Sequence, residues 1–351
     1  MDSAGSTNQR ISEGEFATDR GIDRRRTGRG VIPEGTDGLF SQTWWPICRA
    51  AEVGAGQVVG ANFLDGRVAV YRPAEGGEPR VVSAYCPHNG ADLSIGDVVD
   101  DQLRCRFHRW RFNSTGVCVA TGCGDPPPPR ARVFAYPTQE RYGLIWAFNG
   151  ETPLFELPDL GYPDEELQFH TDIPHLDINA DPWVFMCNTL DFNHIRCVHG
   201  LVFDGADPDS EIEWAPHQVS YDLRGRFEAT QAPVDYRVAI HGTNIFWQTG
   251  KANGKWFGFL FPCGLHRPGT MRAYYVIATR REDGPGGESL VHDTLKFAME
   301  LERMVVEQDL EILNTIRFTR GAYTRADRTL GRFVDHIMAH PRAHPGSEFI
   351  K

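Results

Sequence analysis

The chain has 351 residues, 41% of them hydrophobic and 24% charged, enough for two or three domains and the balance of a chain that buries a sizeable core. Its 47 acidic residues outnumber 36 basic ones, a net charge of −11 that excludes a nucleic-acid binder built on a basic footprint. No apolar run approaches the roughly 18 residues that span a bilayer, and no apolar signal segment follows the N-terminus, so the expectation is a soluble cytoplasmic protein with no membrane partner.

Residues 1–38 are rich in Gly, Ser, Thr, Asp and Arg and lack apolar periodicity, the composition of a disordered arm. Arg24, Arg25, Arg26 and Arg29 form a basic cluster within it, read as a solvated tail. Apolar sequence begins at Phe40 and Trp44-Trp45-Pro46. Gly54, Gly56 and Gly60 look loosely like a dinucleotide loop, but such a loop opens a helix in a βαβ unit. Here they lead into two strand-like runs, 58–64 and 67–71, joined by an Asp65-Gly66 hairpin signal.

Cys86-x-His88 and Cys105-x-x-His108, separated by residues 89–104, supply two thiolates and two imidazoles from two tight loops. Such donors suit zinc or an iron–sulfur cluster. One Cys and one His per loop is what a Rieske cluster needs, because its two Cys hold one iron and its two His the other. A Cys2His2 zinc site is the competing reading, and its usual ligand order differs from this one. Gly90 and Gly96 let backbone pass close to the centre. Phe107, Trp110 and Phe112 are expected to pack around it and exclude water. The other six cysteines, Cys48, Cys118, Cys123, Cys187, Cys197 and Cys263, read as buried apolar thiols. Pro126 to Pro129 form a stiff spacer, and Tyr142 to Phe148 read as a buried strand. The stretch 151–165, rich in Pro, Gly and acids, carries the boundary between folded domains at 39–155 and 156–351.

A second constellation follows at Asn188 and Asp191-x-x-His194-x-x-x-x-His199-Gly200. Asp191 and His194, three apart, can share one helical face. His199 would be turned away by about 140° on a continuous helix, so the helix must end or bulge near Cys197, with Gly200 as the stop. Two imidazoles so placed are candidate iron ligands, and a carboxylate would complete a facial triad. Residues 296–318 read as a long helix with Ala298, Val305, Val306, Ile312, Leu313 and Ile316 on one apolar stripe. Asp309 lies at the centre of that stripe, where an unpartnered carboxylate is costly. Glu302 falls on the same stripe and is the rival ligand. Between 215 and 280 strands and turns alternate, with Asn253-Gly254 as a hairpin signal. Phe227, Ile240, Phe246, Trp247, Trp256 and Phe259 there are core residues or pocket lining. His336, His340 and His344 are spaced by four, but Pro341 and Pro345 break the helix that would align them, and they read as tail residues.

Over about residues 40–320 the two constellations resemble the catalytic α subunit of a Rieske non-haem iron oxygenase. The resemblance implies an α+β chain: an N-terminal antiparallel β Rieske domain, then a larger α+β catalytic domain with a twisted antiparallel sheet flanked by helices. It implies that Cys86, His88, Cys105 and His108 hold [2Fe-2S], and that His194, His199 and Asp309 hold mononuclear Fe(II). It further implies that Asp191 links a cluster His of one subunit to an iron His of the next within a homotrimer, and that Asn188 is an amide beside the iron. Two departures stand out. Asn89-Gly90 replaces the frequent Arg-Gly, and Arg106-Phe107-His108-Arg109 replaces Pro-x-His-Gly. They bear on the cluster's potential and on partner docking. The function implied is hydroxylation or oxidative demethylation of an aromatic or polycyclic small organic substrate with O2. Nothing in the chain resembles a flavin or nicotinamide site, so NAD(P)H electrons must come from a separate reductase, with or without a ferredoxin. Ring cis-dihydroxylation by a dioxygenase, and a Rieske electron carrier without its own catalysis, are the alternatives.

Overall fold

Strand-forming runs before residue 150 fold, in the computed structural model, as three small antiparallel sheets. The structure describes residues 30–171, 175–205 and 208–350; the basic cluster Arg24, Arg25, Arg26 and Arg29, like all of 1–29, lies outside them. One sheet takes the order Ala135–Tyr136, Arg80–Ser83, Gly66–Tyr71, Val58–Phe63. A second places Leu144–Phe148 between Thr138–Arg141 and Trp44–Arg49. The third is Asp97–Val99, Gln102–Arg104, Arg111–Phe112 and Cys118–Ala120 in sequence order. The hairpin expected at Asp65-Gly66 sits one residue earlier. Phe63 pairs with Gly66, and Leu64 and Asp65 take the left-handed turn positions at φ 49 and 61. Burial outweighs the backbone cost, since Leu64 is fully buried beside Phe63, Ile47 and Leu265.

Downstream, a ten-stranded antiparallel sheet forms the centre of the chain. Its main path runs Leu167–His170, Val276–Arg280, Lys255–Arg267, Ile245–Ala252, Pro233–His241, Gln218–Phe227, Leu201–Phe203. Asn253 and Gly254, at φ 48 and 79, make the expected two-residue hairpin between paired Ala252 and Lys255. Helices α1 (Pro182–Thr189), α2 (Phe192–Cys197), α3 (Gly287–Leu313) and α4 (Arg328–Met338), with a last turn at Ser347–Ile350, complete the architecture. The long helix expected at 296–318 is α3. It starts earlier because Gly286, at φ 89, turns the chain into it, and stops earlier at Asn314. Ala298, Glu302, Val306, Asp309 and Leu313 are its buried stripe, whereas Ile312 is 45% exposed. This face of α3 packs on the strands Lys255–Arg267 and Val276–Arg280.

Both ends of the described chain are pinned. Glu34 is buried, and its carboxylate accepts bonds from Ser41 N–H (2.9 Å) and Ser41 Oγ–H. Arg342–Ala343 pairs antiparallel with Phe40–Ser41. His340 and His344, expected in a loose tail, are instead buried and bonded to the carbonyls of Gln42 (3.0 Å) and Gly38 (3.1 Å). The reason is that the segment after Pro341 extends as a strand and returns to the N-terminal side. Among the described residues no helix is long and apolar enough to cross a membrane. All eight cysteines are free thiols; Cys123 and Cys197 are exposed, against the expectation of burial, because each lies at an open turn or helix end.

Candidate functional site

The two Cys-His loops share one backbone design. Cys86 N–H donates to Ala91 and Cys105 N–H to Trp110, each five residues on (2.9 and 2.8 Å). Four residues after each cysteine a left-handed residue closes the loop onto the cysteine carbonyl, Gly90 at φ 74 (2.8 Å) and Arg109 at φ 60 (3.1 Å). Gly90 meets that demand freely, whereas Arg109 pays about 1 kcal/mol for it. Gly96 serves differently, because a Cβ there would run into the carbonyl of Arg104. The loops bring the imidazoles of His88 and His108 together, Nδ1 to Nδ1 at 3.1 Å, with Trp110 stacked on His88 at 4.5 Å. Cys86 and Cys105 lie behind them in one apolar cluster with Phe112 and Leu103. Burial pushes the Cys86 thiol up to about 12, so at neutral pH it gives up its proton to solvent only when a bound cation stabilises the thiolate. Two thiols buried on one side and two imidazoles in contact on the other fit a cluster whose irons take S and N ligands separately. Phe107 does not shield this centre; it sits at the loop tip, 63% exposed, with its ring 3.8 Å from that of His108.

The second site forms where two short helices meet α3. Asp191 is the N-cap of α2, and its Oδ1 accepts the backbone N–H of His194 at 2.9 Å. Its described bond is thus to the backbone of His194, not to the imidazole. The helix ends at Cys197, and Gly200, at φ 62, redirects the chain so that His199 turns back. His194 Nε2 and His199 Nε2 then lie 3.1 Å apart, and 3.0 and 3.4 Å from Asp309 Oδ1. Asp309 is buried, and despite these neighbours its Oδ1 takes part in no well-aligned hydrogen bond. Two imidazole nitrogens and an orphaned carboxylate oxygen, all within 4.8 Å, fit a divalent iron. Glu302, the rival acid, does not join them; it accepts a bond from Gln248 Nε2 at 2.7 Å two turns earlier on α3. Sequence reasoning missed Gln308, whose Oε1 lies 2.8 Å from His199 Nδ1. Standing beside Asp309 on a helix, it carried no signal of its own.

A cavity opens from this cluster along the sheet. Asn188, at the end of α1, lines it with His194 and His199. Phe227, Phe246 and Phe259 line it too, whereas Trp247 and Trp256 face the other side of the sheet. Strand alternation decides this: Gln248 pairs with Val238 and Phe259, and all three point into the cavity. Ile240 shares that face but belongs to the core. Tyr236, Gln248 and Glu302 give the cavity a polar end that the sequence did not announce.

Residues 43–137 match the Rieske [2Fe-2S] domain family. A chloroacetanilide N-alkylformylase oxygenase component from Rhizorhabdus wittichii is 30% identical over 321 residues, covering 86% of this chain and 87% of that protein. The chain belongs to the Rieske non-haem iron oxygenases. A cholesterol 7-desaturase from Bombyx mori, named nvd, is 32% identical over 342 residues, 88% of this chain and 70% of the relative. Among solved structures, NdmB of Pseudomonas putida CBB5 superposes with a TM-score of 0.65 at 18% identity, covering 84% of this chain and 90% of that one. The Rieske oxygenase described here is accordingly a sheet-rich α+β protein with a [2Fe-2S] cluster and a mononuclear iron. It is the monooxygenase-type oxygenase component of a multicomponent system, fed by a reductase or ferredoxin and acting on a small molecule.

Proposed function

We propose that Cys86, His88, Cys105 and His108 hold the cluster, that His194, His199 and Asp309 hold the iron, and that the cavity beside them takes an aromatic or polycyclic substrate for hydroxylation or oxidative demethylation. The observation that carries this reading is the convergence of His194, His199 and Asp309, whose Oδ1 makes no aligned hydrogen bond, at the head of a largely apolar cavity. Ring-bearing substrates are supported by the names of two relatives, a cholesterol desaturase and a chloroacetanilide N-alkylformylase. When bound, the cluster supplies single electrons and the iron supplies O2 chemistry. The chain's own residues do the rest. Gln308 accepts the Nδ1–H of His199 and leaves Nε2 free to ligate. Burial lowers the His199 pKa, which favours the neutral ring that a metal needs. Phe227, Phe246 and Phe259 exclude water from the reacting carbon, and Asn188 offers an amide beside it.

The same reading divides the chain at 39–155 and 156–351, which follows the grouping of sheets: Leu144–Phe148 is the last strand of the first group and Leu167–His170 the first of the large sheet. It includes a head-to-tail homotrimer in which Asp191 stands between His194 of one subunit and His108 of another. The exposed imidazoles of His88 and His108, with the apolar Phe107 beside them, support such an interface. A cytoplasmic location is supported by eight free thiols. Asp309→Ala tests the site. The variant should lose mononuclear iron, counted by metal analysis, and keep the cluster absorbance, while Glu302→Ala keeps both. Iron lost only on changing Glu302 would overturn the assignment.

A further inference from the structure

Asn188, Thr189 and Tyr221 line the cavity on the side of α1, and a second polar group, Tyr236, Gln248 and Glu302, gathers apart from them. Gln248 Nε2 donates to Glu302 Oε1 at 2.7 Å. Tyr236, 5% exposed, lines the same cavity, and its hydroxyl is buried with no hydrogen-bond partner. Burial without a partner costs a hydroxyl about 1–3 kcal/mol, so Tyr236 is suited to a group that arrives with the substrate. Glu302 lies close enough to be felt by Tyr236, and burial pushes its carboxyl up to about 8. At neutral pH it is therefore mostly a neutral acid with an O–H to give. No Lys or Arg is among the described residues lining the cavity. A carboxylate at the polar end, away from the iron site, would be buried with no Lys or Arg to pair it, a costly arrangement.

Spacing adds a length. Glu302 and Asp309 are seven residues apart on one face of α3, which sets the polar end about 10 Å along the helix from the iron-binding acid. A ring whose oxygen is hydrogen-bonded at the polar end, with its far carbon in van der Waals reach of the metal site, fills a span of that order.

We infer that the substrate is a ring-bearing molecule with an uncharged oxygen group at one end. Tyr236 and Glu302, the latter steadied by Gln248, hold that oxygen while the far end of the molecule meets the iron. The inference rests on the cavity being the substrate site. A hydroxyl and a carbonyl oxygen share the chemistry, since each can accept from Tyr236 and Glu302.

Isothermal titration of the iron-loaded holoenzyme tests it with monocyclic, bicyclic and tetracyclic series, each comprising the parent hydrocarbon, the alcohol, the ketone and the carboxylate. The alcohol or the ketone should bind at least about ten-fold tighter than the hydrocarbon and the carboxylate, the size of one hydrogen bond to a buried group. Comparing alcohol with ketone identifies which oxygen is meant. Tyr236→Phe should cut the preference for the oxygenated ligand about ten-fold and leave hydrocarbon affinity unchanged. Glu302→Gln, which keeps a neutral donor, should preserve that preference, and Glu302→Leu should lose it. Equal or tighter binding of the carboxylate, an unchanged preference in Tyr236→Phe, or its loss in Glu302→Gln overturns the inference. Failure of every compound to bind would instead overturn the reading of the cavity as the substrate site.

Discussion

Gln308 shows how much one side chain can decide. An imidazole ligates through one nitrogen only when the other holds its proton. The Gln308 carbonyl oxygen, 2.8 Å from His199 Nδ1, is the acceptor that fixes this tautomer. Gln308→Leu keeps the bulk and removes the acceptor. Iron affinity should fall about 10- to 100-fold, measured by competition with a chelator, and the cluster spectrum should stay as it is. Gln308→Glu, which retains an acceptor, should recover most of the loss. Iron retention equal to wild type in Gln308→Leu would show that another group orients the ring. No sequence signal marks this residue, because Gln308 faces about 100° away from Asp309 around the helix and only the return of the chain at Gly200 brings His199 to it.

Among the elements, α2 carries the strongest test. Asp191 both caps the helix and is proposed to reach the next subunit, and two substitutions separate these roles. Asn caps about as well as Asp, so Asp191→Asn should fold normally, hold both metals and remain trimeric by sedimentation, yet reoxidise its cluster far more slowly in a single turnover. Asp191→Ala should also lose about 1 kcal/mol of stability. A wild-type reoxidation rate in Asp191→Asn, or a fully active monomer, would sink the intersubunit role. The break after Cys197 was legible, because a helix cannot present residues five apart on one face. Asp309 was legible as one of two acids on an apolar stripe, and only the packing of α3 parts it from Glu302, which turns to Gln248. The true start of α3 was not, since Glu288, His292 and Asp293 blur the periodicity of its first turns. Equally hidden were Tyr236 and Gln248, whose alternation fits either face of a strand until the sheet is packed. Leu64 in a left-handed turn ran against local preference and was settled by a distant partner, Leu265.

At the scale of the whole molecule, the N-terminal sheets are tied to the large sheet by backbone. Leu64 N–H and Asp65 N–H donate to the carbonyls of Leu265 and His266 at 3.0 and 3.1 Å. Asn149, fully buried, donates from one amide to the carbonyls of Phe40, Ser41 and Ala343. His340 belongs to this seam, with its ring packed near His217 and Phe155 and its Nε2 on the Gln42 carbonyl. Burial pushes its pKa down to about 4; Gln42 opposes that, and His217, His336 and Arg342 add to it. An unfolded chain binds this proton near pH 6.5, and the folded chain only near 4. The contribution of His340 is therefore complete above about pH 6.5 and drains away as pH falls toward 4, at up to about 1.4 kcal/mol per pH unit. His241, likewise held at about 4 by burial, adds in the same sense. Glu302 acts oppositely, since its raised pKa costs stability as pH climbs from 4.5 toward 8. Denaturant unfolding of the holoenzyme at pH 5.0 and 6.5 should show a steep acid loss in wild type, and His340→Gln should flatten it by close to one proton's slope. An unchanged slope in that variant would show that His340 does not stay neutral in the folded chain and that the acid sensitivity arises elsewhere.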